Sequence, residues 1–517
     1  MSISRGAFSA CLMLGAFALD AQAQAPLSAI DWLSDSIAED NAAAPPRLPA
    51  AGNEPAISTN ALPEAITVTP LGQPSADEVG LVSAASLGLP RTLWGSSSSA
   101  ALARAIAKDH SRSLPAMRDL VRALAIAELD PPSDADPATP LYFARVDALL
   151  AMGALGPAEQ LLEQAGLSDP DRFRRWFDVT LLKGTENKAC RRLRSSPDLI
   201  PTYSARVFCL ARGGDWSAAA LTLETAETLD VLSANEGALL AQFLDAELYE
   251  GAFPPAPPSR PSPLDYRLYE AIGEVIPTGP LPLAFAYTDL RPLAGWKAEV
   301  AAAERLVRVG AISTEAWRTI WMRRLPAASG GIWDRIAAFQ ALDRAAEAND
   351  GAAVAKALPM AWSAMQSVGL ETAFAAQYSA KLARLELPPP EDRLAWQISL
   401  LSPQFDSTPA VADPQDASES LLLYLASGQG DLSGDTGDAS TAILAGFRAI
   451  GVPERFAPLL ADNRSGEALL EAINLVEAGA EGDVAKLTDA IALMRHIGLE
   501  RFAQQAALQI LLLAPEA

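Results

Sequence analysis

Apolar and small residues recur at helical spacing along most of the chain, and between residues 139 and 232 one pattern occurs three times. In the first copy, Tyr142, Val146 and Leu149 fall on one helical face and predict an amphipathic helix. Each copy then has a glycine that can take the left-handed conformation ending a helix, at Gly153, Gly184 and Gly214. The pattern therefore predicts three helix–turn–helix units in succession.

A small residue stands five positions after each glycine, at Ala158, Ala189 and Ala219, and Trp216 follows the third glycine closely. A small side chain at this position lets the second helix lie close against the first. Because one such hairpin cannot bury its own apolar face, neighbouring hairpins must stack on it. We therefore expect an all-α fold, an α-solenoid of stacked antiparallel helical hairpins with a disordered N-terminal segment.

Helical periodicity extends well beyond the three copies, and breaks in it suggest the organisation of the chain. Dense prolines at 253–263 and at 388–390 cannot lie inside helices. The pattern predicts helical repeats over 89–252, a second helical region over 264–387 and a C-terminal helical region over 391–517.

The first 88 residues differ in composition from the helical regions that follow them. Residues 1–23 combine Arg5, a short apolar core and a small-x-small site, which is typical of a secretory signal peptide cleaved after about Ala23. This predicts export, to the periplasm of a bacterium. Residues 24–88 form a low-complexity, disordered linker by composition.

Within this linker, residues 26–38 form a short amphipathic segment. Its apolar side chains are Leu27, Ile30, Trp32, Leu33 and Ile37. Such a segment can dock as a helix in a partner's groove or fold back onto its own chain, and the sequence leaves both alternatives open.

The repeated units resemble the tetratricopeptide repeat, and the resemblance covers residues 139–232. Gly214-Asp215-Trp216 followed by Ala219, Leu223 and Ala226 is the best match to that family. The glycines recur about every 30 residues, somewhat less than the 34 of the family. The resemblance implies a helical array that binds a protein or peptide on its concave side.

Charge narrows the range of partners. The chain has a net charge of −23, with 50% hydrophobic and only 6% aromatic residues. The basic face that nucleic-acid binding requires is therefore not expected, and an anionic membrane surface is disfavoured. After the signal, no apolar run approaches the ~20 residues that a transmembrane helix needs.

The cysteines predict a structural bond and no cofactor. Cys190 and Cys209 remain after signal cleavage and fall on neighbouring predicted helices, so in an oxidising compartment we expect a disulfide between them. His110 and His496 have no Cys or His companion at ligand spacing, which argues against a zinc site. Both are interpreted as surface or packing residues.

No catalytic motif was found in the sequence, so the first hypothesis is a non-enzymatic scaffold for a protein or peptide of the cell envelope. The alternative is a cell-envelope polysaccharide-binding protein or enzyme, similar to the superhelix of lytic transglycosylases but without their catalytic segments. It requires Trp317, Trp321 and Glu419 to converge on one exposed face, whereas the residue pattern favours core tryptophans and a helix-surface Glu419. Self-association is a third alternative.

Overall fold

The computed structural model describes residues 75–110, 113–136, 138–409, 414–428 and 437–513. The predicted signal peptide and the amphipathic segment 26–38 lie outside the described residues. The described chain is all-α. It contains one short parallel pair of strands, β1 (Val82–Ser83) and β2 (Ala127–Glu128), in which Val82 pairs with Ala127.

Most of the helices follow one another with short connections, and longer segments lie between them at 245–262 and 272–295. The first ten are α1 (Ser99–Ile106), α2 (Pro115–Ile126), α3 (Pro140–Ala151), α4 (Leu155–Ala165), α5 (Pro170–Lys183), α6 (Glu186–Ser195), α7 (Tyr203–Arg212), α8 (Trp216–Thr228), α9 (Ala234–Leu244) and α10 (Pro263–Ala271). The middle helices are α11 (Trp296–Arg308), α12 (Thr314–Met322), α13 (Ile332–Glu347), α14 (Gly351–Gln366), α15 (Glu371–Leu382) and α16 (Glu391–Leu400). The last six are α17 (Ala417–Ser427), α18 (Gly437–Arg448), α19 (Ala457–Ala461), α20 (Ser465–Ala480), α21 (Ala485–His496) and α22 (Glu500–Leu513). Short 3-10 helices lie at Ala76–Glu78, Ala84–Leu87, Pro197–Leu199, Leu283–Leu290 and Phe405–Ser407.

The repeated sequence corresponds to three consecutive hairpins, α3–α4, α5–α6 and α7–α8, each packed on the next. The glycine after the first helix of each hairpin has a positive φ, of 69° at Gly153, 75° at Gly184 and 84° at Gly214. The alanine five positions later is fully buried in all three hairpins. The close approach of the two helices thus rests on a left-handed turn and a side chain without bulk.

The two ends of the described chain meet. Helix α1 packs on α20, and α2 packs on α22. Backbone hydrogen bonds join the same regions, because Ser96 N–H donates to the Asn463 carbonyl (2.9 Å) and Gly466 N–H donates to the Leu93 carbonyl (2.9 Å). The helices near residue 100 and those near residue 470 therefore share one apolar core, to which Trp396 and Leu400 of α16 also belong.

The middle region has a separate core of aromatic side chains between α12, α13 and α15. Trp317 and Trp321 are fully buried, with ring centroids 5.1 Å apart, and both contact Phe339. These tryptophans fill space between helices, as the helical spacing favoured.

Residues 75–88 belong to the fold, although the sequence places them in the predicted linker. The Arg145 side chain of α3 is fully buried and donates hydrogen bonds of 2.8–3.0 Å to the carbonyls of Asp77, Val79, Ala125 and Ala127. The Arg145 side chain thus provides hydrogen-bond donors for backbone carbonyls of residues 75–88, and the sequence of that segment alone does not predict them. Burial lowers the pKa of Arg145 to about 10.

Candidate functional site

A cavity of about 600 Å³ opens between α1, α2 and α3. Pro282, Leu283 and Val309 close it from the side of the middle region. Its volume falls within the range of typical small-ligand pockets, about 300–1,000 Å³. The cavity lies beside the junction where the two ends of the described chain meet.

Alanines create this space. Ala144, Ala148 and Ala151 line it from successive turns of α3, and they are faced by Ala103 on α1 and by Ala107, the residue directly after that helix. Because helical positions i, i+4 and i+7 share one face, these alanines form a continuous wall of small side chains. The cavity is therefore the consequence of a small-residue face on each helix, not of a loop.

Basic side chains surround one part of the cavity. Arg104 is exposed in the last turn of α1, Lys108 is exposed two residues beyond the end of that helix, and Arg118 lies buried on α2. Two acidic side chains also line the cavity, the exposed Asp109 and, on the opposite wall, Asp147. Asp147 is paired with Arg175, with Nε–Oδ1 and Nη2–Oδ2 distances of 2.8 and 3.0 Å. In a chain of net charge −23, these cations favour an acidic ligand.

Arg118 also fixes the inner wall. Its Nη2 donates to the Arg308 carbonyl (3.1 Å), and Arg122 donates to the carbonyl of Val309, at the end of α11. The last carbonyls of a helix lack partners within it and carry partial negative charge, so two guanidinium groups stabilise this end. Burial lowers the pKa of Arg118, and nearby arginines act in the same direction.

His110, Ser113 and Glu477 meet beside the cavity, which His110 lines. Ser113 Oγ and Glu477 Oε1 each lie 3.4 Å from the same ring nitrogen, Nδ1 of His110, and the serine hydroxyl donates to the glutamate. In a nucleophilic triad the serine and the carboxylate contact different ring nitrogens. The cluster therefore lacks triad geometry, and Nε2 of the buried His110 has no hydrogen-bond partner among the described residues.

Both His110 and Ser113 affect the pKa of the Glu477 carboxyl. Its burial alone would raise its pKa, but the hydrogen bonds from His110 and Ser113 outweigh this effect and lower the pKa below its ordinary value. Glu477 is thus ionised at neutral pH and helps to attach α20 to the loop after α1.

The sequence-predicted site residues lie mostly away from the cavity. The first repeat glycine is the exception, because a Cβ added to Gly153 would lie 3.2 Å from Leu283 Cγ on the cavity wall. Cys190 on α6 and Cys209 on α7 lie at disulfide distance, which confirms the predicted bond. Trp216 is 44% exposed and packs against Phe243. The predicted docking residues Leu27, Ile30, Trp32, Leu33 and Ile37 lie outside the described residues.

The three residues that the enzyme alternative required do not form an exposed groove. Trp317 and Trp321 are buried in the middle core, and Glu419 is buried at the start of α17. Glu419 pairs with Arg393 and accepts a hydrogen bond from Gln415 N–H (2.8 Å). The interpretation of Glu419 as a helix-surface carboxylate is wrong, because Arg393 from the preceding helix compensates its burial.

Sequence reasoning did not identify the cavity residues. The available signal was the alanine spacing at α1 and α3, with Arg104 and Lys108 four residues apart beside it. Within the described ranges, no group of three or more His, Cys, Asp or Glu side chains is placed to hold a metal ion. In the same parts of the chain, no helix has the length and apolar character needed to cross a membrane.

Comparison with known proteins adds no relative. No protein-family model, no curated protein and no solved structure matches this chain.

Proposed function

We propose that this chain is a non-enzymatic scaffold, exported to the bacterial cell envelope, that binds a protein or peptide partner. Its framework is an array of stacked antiparallel hairpins, similar to tetratricopeptide repeats over residues 139–232. The cavity between α1, α2 and α3 receives apolar side chains of the partner, and the adjacent cations hold an acidic group.

The cavity is the observation that carries this proposal. It combines alanine walls, which accept aliphatic or aromatic side chains, with exposed cations at Arg104 and Lys108. Its walls come from rigid helices, so no large rearrangement is required to admit a ligand. A partner segment with apolar residues beside acidic ones fits both features.

The proposed export and non-enzymatic role have separate support. Residues 1–23 have the composition of a secretory signal, and a disulfide is typical of an oxidising compartment. The alternative of a polysaccharide-binding protein or enzyme has lost its specific support, since Trp317, Trp321 and Glu419 are buried.

A pull-down from cells tests the proposal. Ala107 and Ala151 line the cavity but are exposed, so Ala107→Trp or Ala151→Trp occludes it with little disturbance of the core. Ala220→Trp on α8 is the matched control, because Ala220 is an exposed helical alanine away from the cavity. We expect envelope proteins captured by the wild type and the control to be lost from both cavity variants. Equal capture by all four proteins would overturn the assignment of the cavity.

A further inference from the structure

We propose that residues 26–38 of the same chain occupy this cavity, so that the protein carries its own competing ligand. The inference rests on the proposed function in that both assign binding to the cavity. It adds an occupant and a mode of regulation, because an external partner must then displace the chain's own segment.

The point where the chain enters the fold favours this occupant. The described residues begin at Ser75, and Asp77 accepts a hydrogen bond from Tyr142 N–H (2.8 Å) through its carboxylate. Tyr142 lies in the first turn of α3, and the opposite face of that helix lines the cavity. The entry point and the cavity therefore share one helix, which is about 18 Å long.

The intervening chain is long enough. About 36 residues separate Ala38 from Ser75, and even a random coil of that length spans on the order of 30 Å. A ligand on a linker of matching length has an effective local concentration on the order of millimolar. Weak docking is therefore enough for high occupancy.

The apolar side chains of the segment suit the walls. On a helix, Ile30, Leu33 and Ile37 share one face, because they are three and four positions apart. The facing surface consists of the alanines of α1 and α3, which leave about 600 Å³ free. Aliphatic side chains on one side and small residues on the other allow two helices to pack closely.

The charges are complementary at matching spacing. Asp31 and Asp35 are four residues apart, and so are Arg104 and Lys108 at the cavity. A helix over residues 26–38 would place Asp31 and Asp35 one turn apart, beside Arg104 in the last turn of α1 and Lys108 just after that helix, so the two carboxylates can meet the two cations. Residues 24–40 contain no lysine or arginine, so no cation of the segment opposes Arg104 and Lys108, and the acidic side chains of the cavity lining are Asp109 and the ion-paired Asp147.

The consequence is regulation by competition. Only the fraction of molecules with an open cavity binds an external partner, so the apparent affinity is reduced by that fraction. A partner segment binds best when it reproduces the apolar face and paired acidic residues of 26–38. Removal of the charges on the segment should therefore strengthen partner binding.

The test is photo-crosslinking within the purified mature chain. A photoreactive benzoylphenylalanine replaces Leu33, and peptide mapping locates the new bond after irradiation. We expect bonds to α1 or α3 within a single chain. The same probe at position 43 is the control and should give few of these bonds.

Charge reversal sharpens the result. Arg104→Glu with Lys108→Glu should reduce the crosslink yield at least fivefold, and adding Asp31→Lys with Asp35→Lys should restore it. Bonds to another surface, bonds only between two chains, or a yield that ignores the charges would overturn the inference. Such a failure is distinguishable from failure of the proposed function, because loss of external partners in Ala107→Trp is measured separately.

Discussion

Replacement of Arg145 by methionine should release residues 75–83 from the rest of the fold. The guanidinium donates four hydrogen bonds to backbone carbonyls, and each hydrogen bond involving a charged group contributes about 1.5–3 kcal/mol. The cost of burying the charge offsets part of this contribution, whereas methionine leaves the carbonyls without those donors. We expect Arg145→Met to lower the free energy of unfolding by about 4 kcal/mol, near the upper end for single substitutions.

The chain supplies a matched control for this prediction. Arg206 occupies the position in the third repeat that Arg145 occupies in the first, but it is exposed. Arg206→Met should change the free energy by no more than about 0.5 kcal/mol. Because both variants replace arginine by methionine at the same repeat position, a difference between them reports the burial of Arg145 and not a change in helix propensity.

Urea unfolding followed by circular dichroism measures both variants, and hydrogen exchange locates the effect. The Leu81 amide, which donates to the Ile126 carbonyl (2.8 Å), should exchange much faster in Arg145→Met and at the wild-type rate in Arg206→Met. A loss below about 1 kcal/mol in Arg145→Met, or equal losses in the two variants, would refute the reasoning.

Three further predictions concern stability. Replacing Cys190 and Cys209 together by alanine should cost about 3 kcal/mol in urea unfolding under oxidising conditions, and no loss would contradict the loop-closure argument. Trp317→Ala should lower the free energy of unfolding by about 3–5 kcal/mol, because the Trp317 side chain is fully buried. Trp216→Ala should lower it far less, because Trp216 is 44% exposed, and similar losses in the two variants would contradict this prediction. Glu477→Gln should be less stable by about 1 kcal/mol at pH 7. The pKa of the Glu477 carboxyl is below its ordinary value of 4.5, so the ionised carboxylate stabilises the fold above that pH and this contribution is lost on further acidification. The difference in stability between Glu477→Gln and wild type should therefore shrink below pH 4.5. A constant difference down to pH 3 would refute this prediction.

Local features of the fold could be predicted from the sequence. Helical spacing, glycine and alanine give an all-α chain and the positions of the three hairpins, because these signals act within a few residues. The Cys190–Cys209 bond followed from the same repeat, since it places the two cysteines on adjacent helices.

Features that depend on distant residues could not be predicted. The junction of Leu93 with Gly466 and the carbonyl contacts of Arg145 join segments far apart in the chain, so no periodicity reveals them. Glu419 resembles a solvated carboxylate until Arg393 is placed beside it. The cavity needs two alanine faces opposite each other, which only the packing of α1 on α3 provides.

The most direct measurement of the central claim is photo-crosslinking in living cells, with the probe in place of Ala107 at the cavity and, separately, in place of Ala220 on α8. We predict that the probe at position 107 captures a defined envelope protein, that Ala151→Trp abolishes this capture, and that the probe at position 220 does not capture the protein. Capture of the same proteins from both positions, or capture unaffected by Ala151→Trp, would contradict the assignment of this cavity as the partner-binding site.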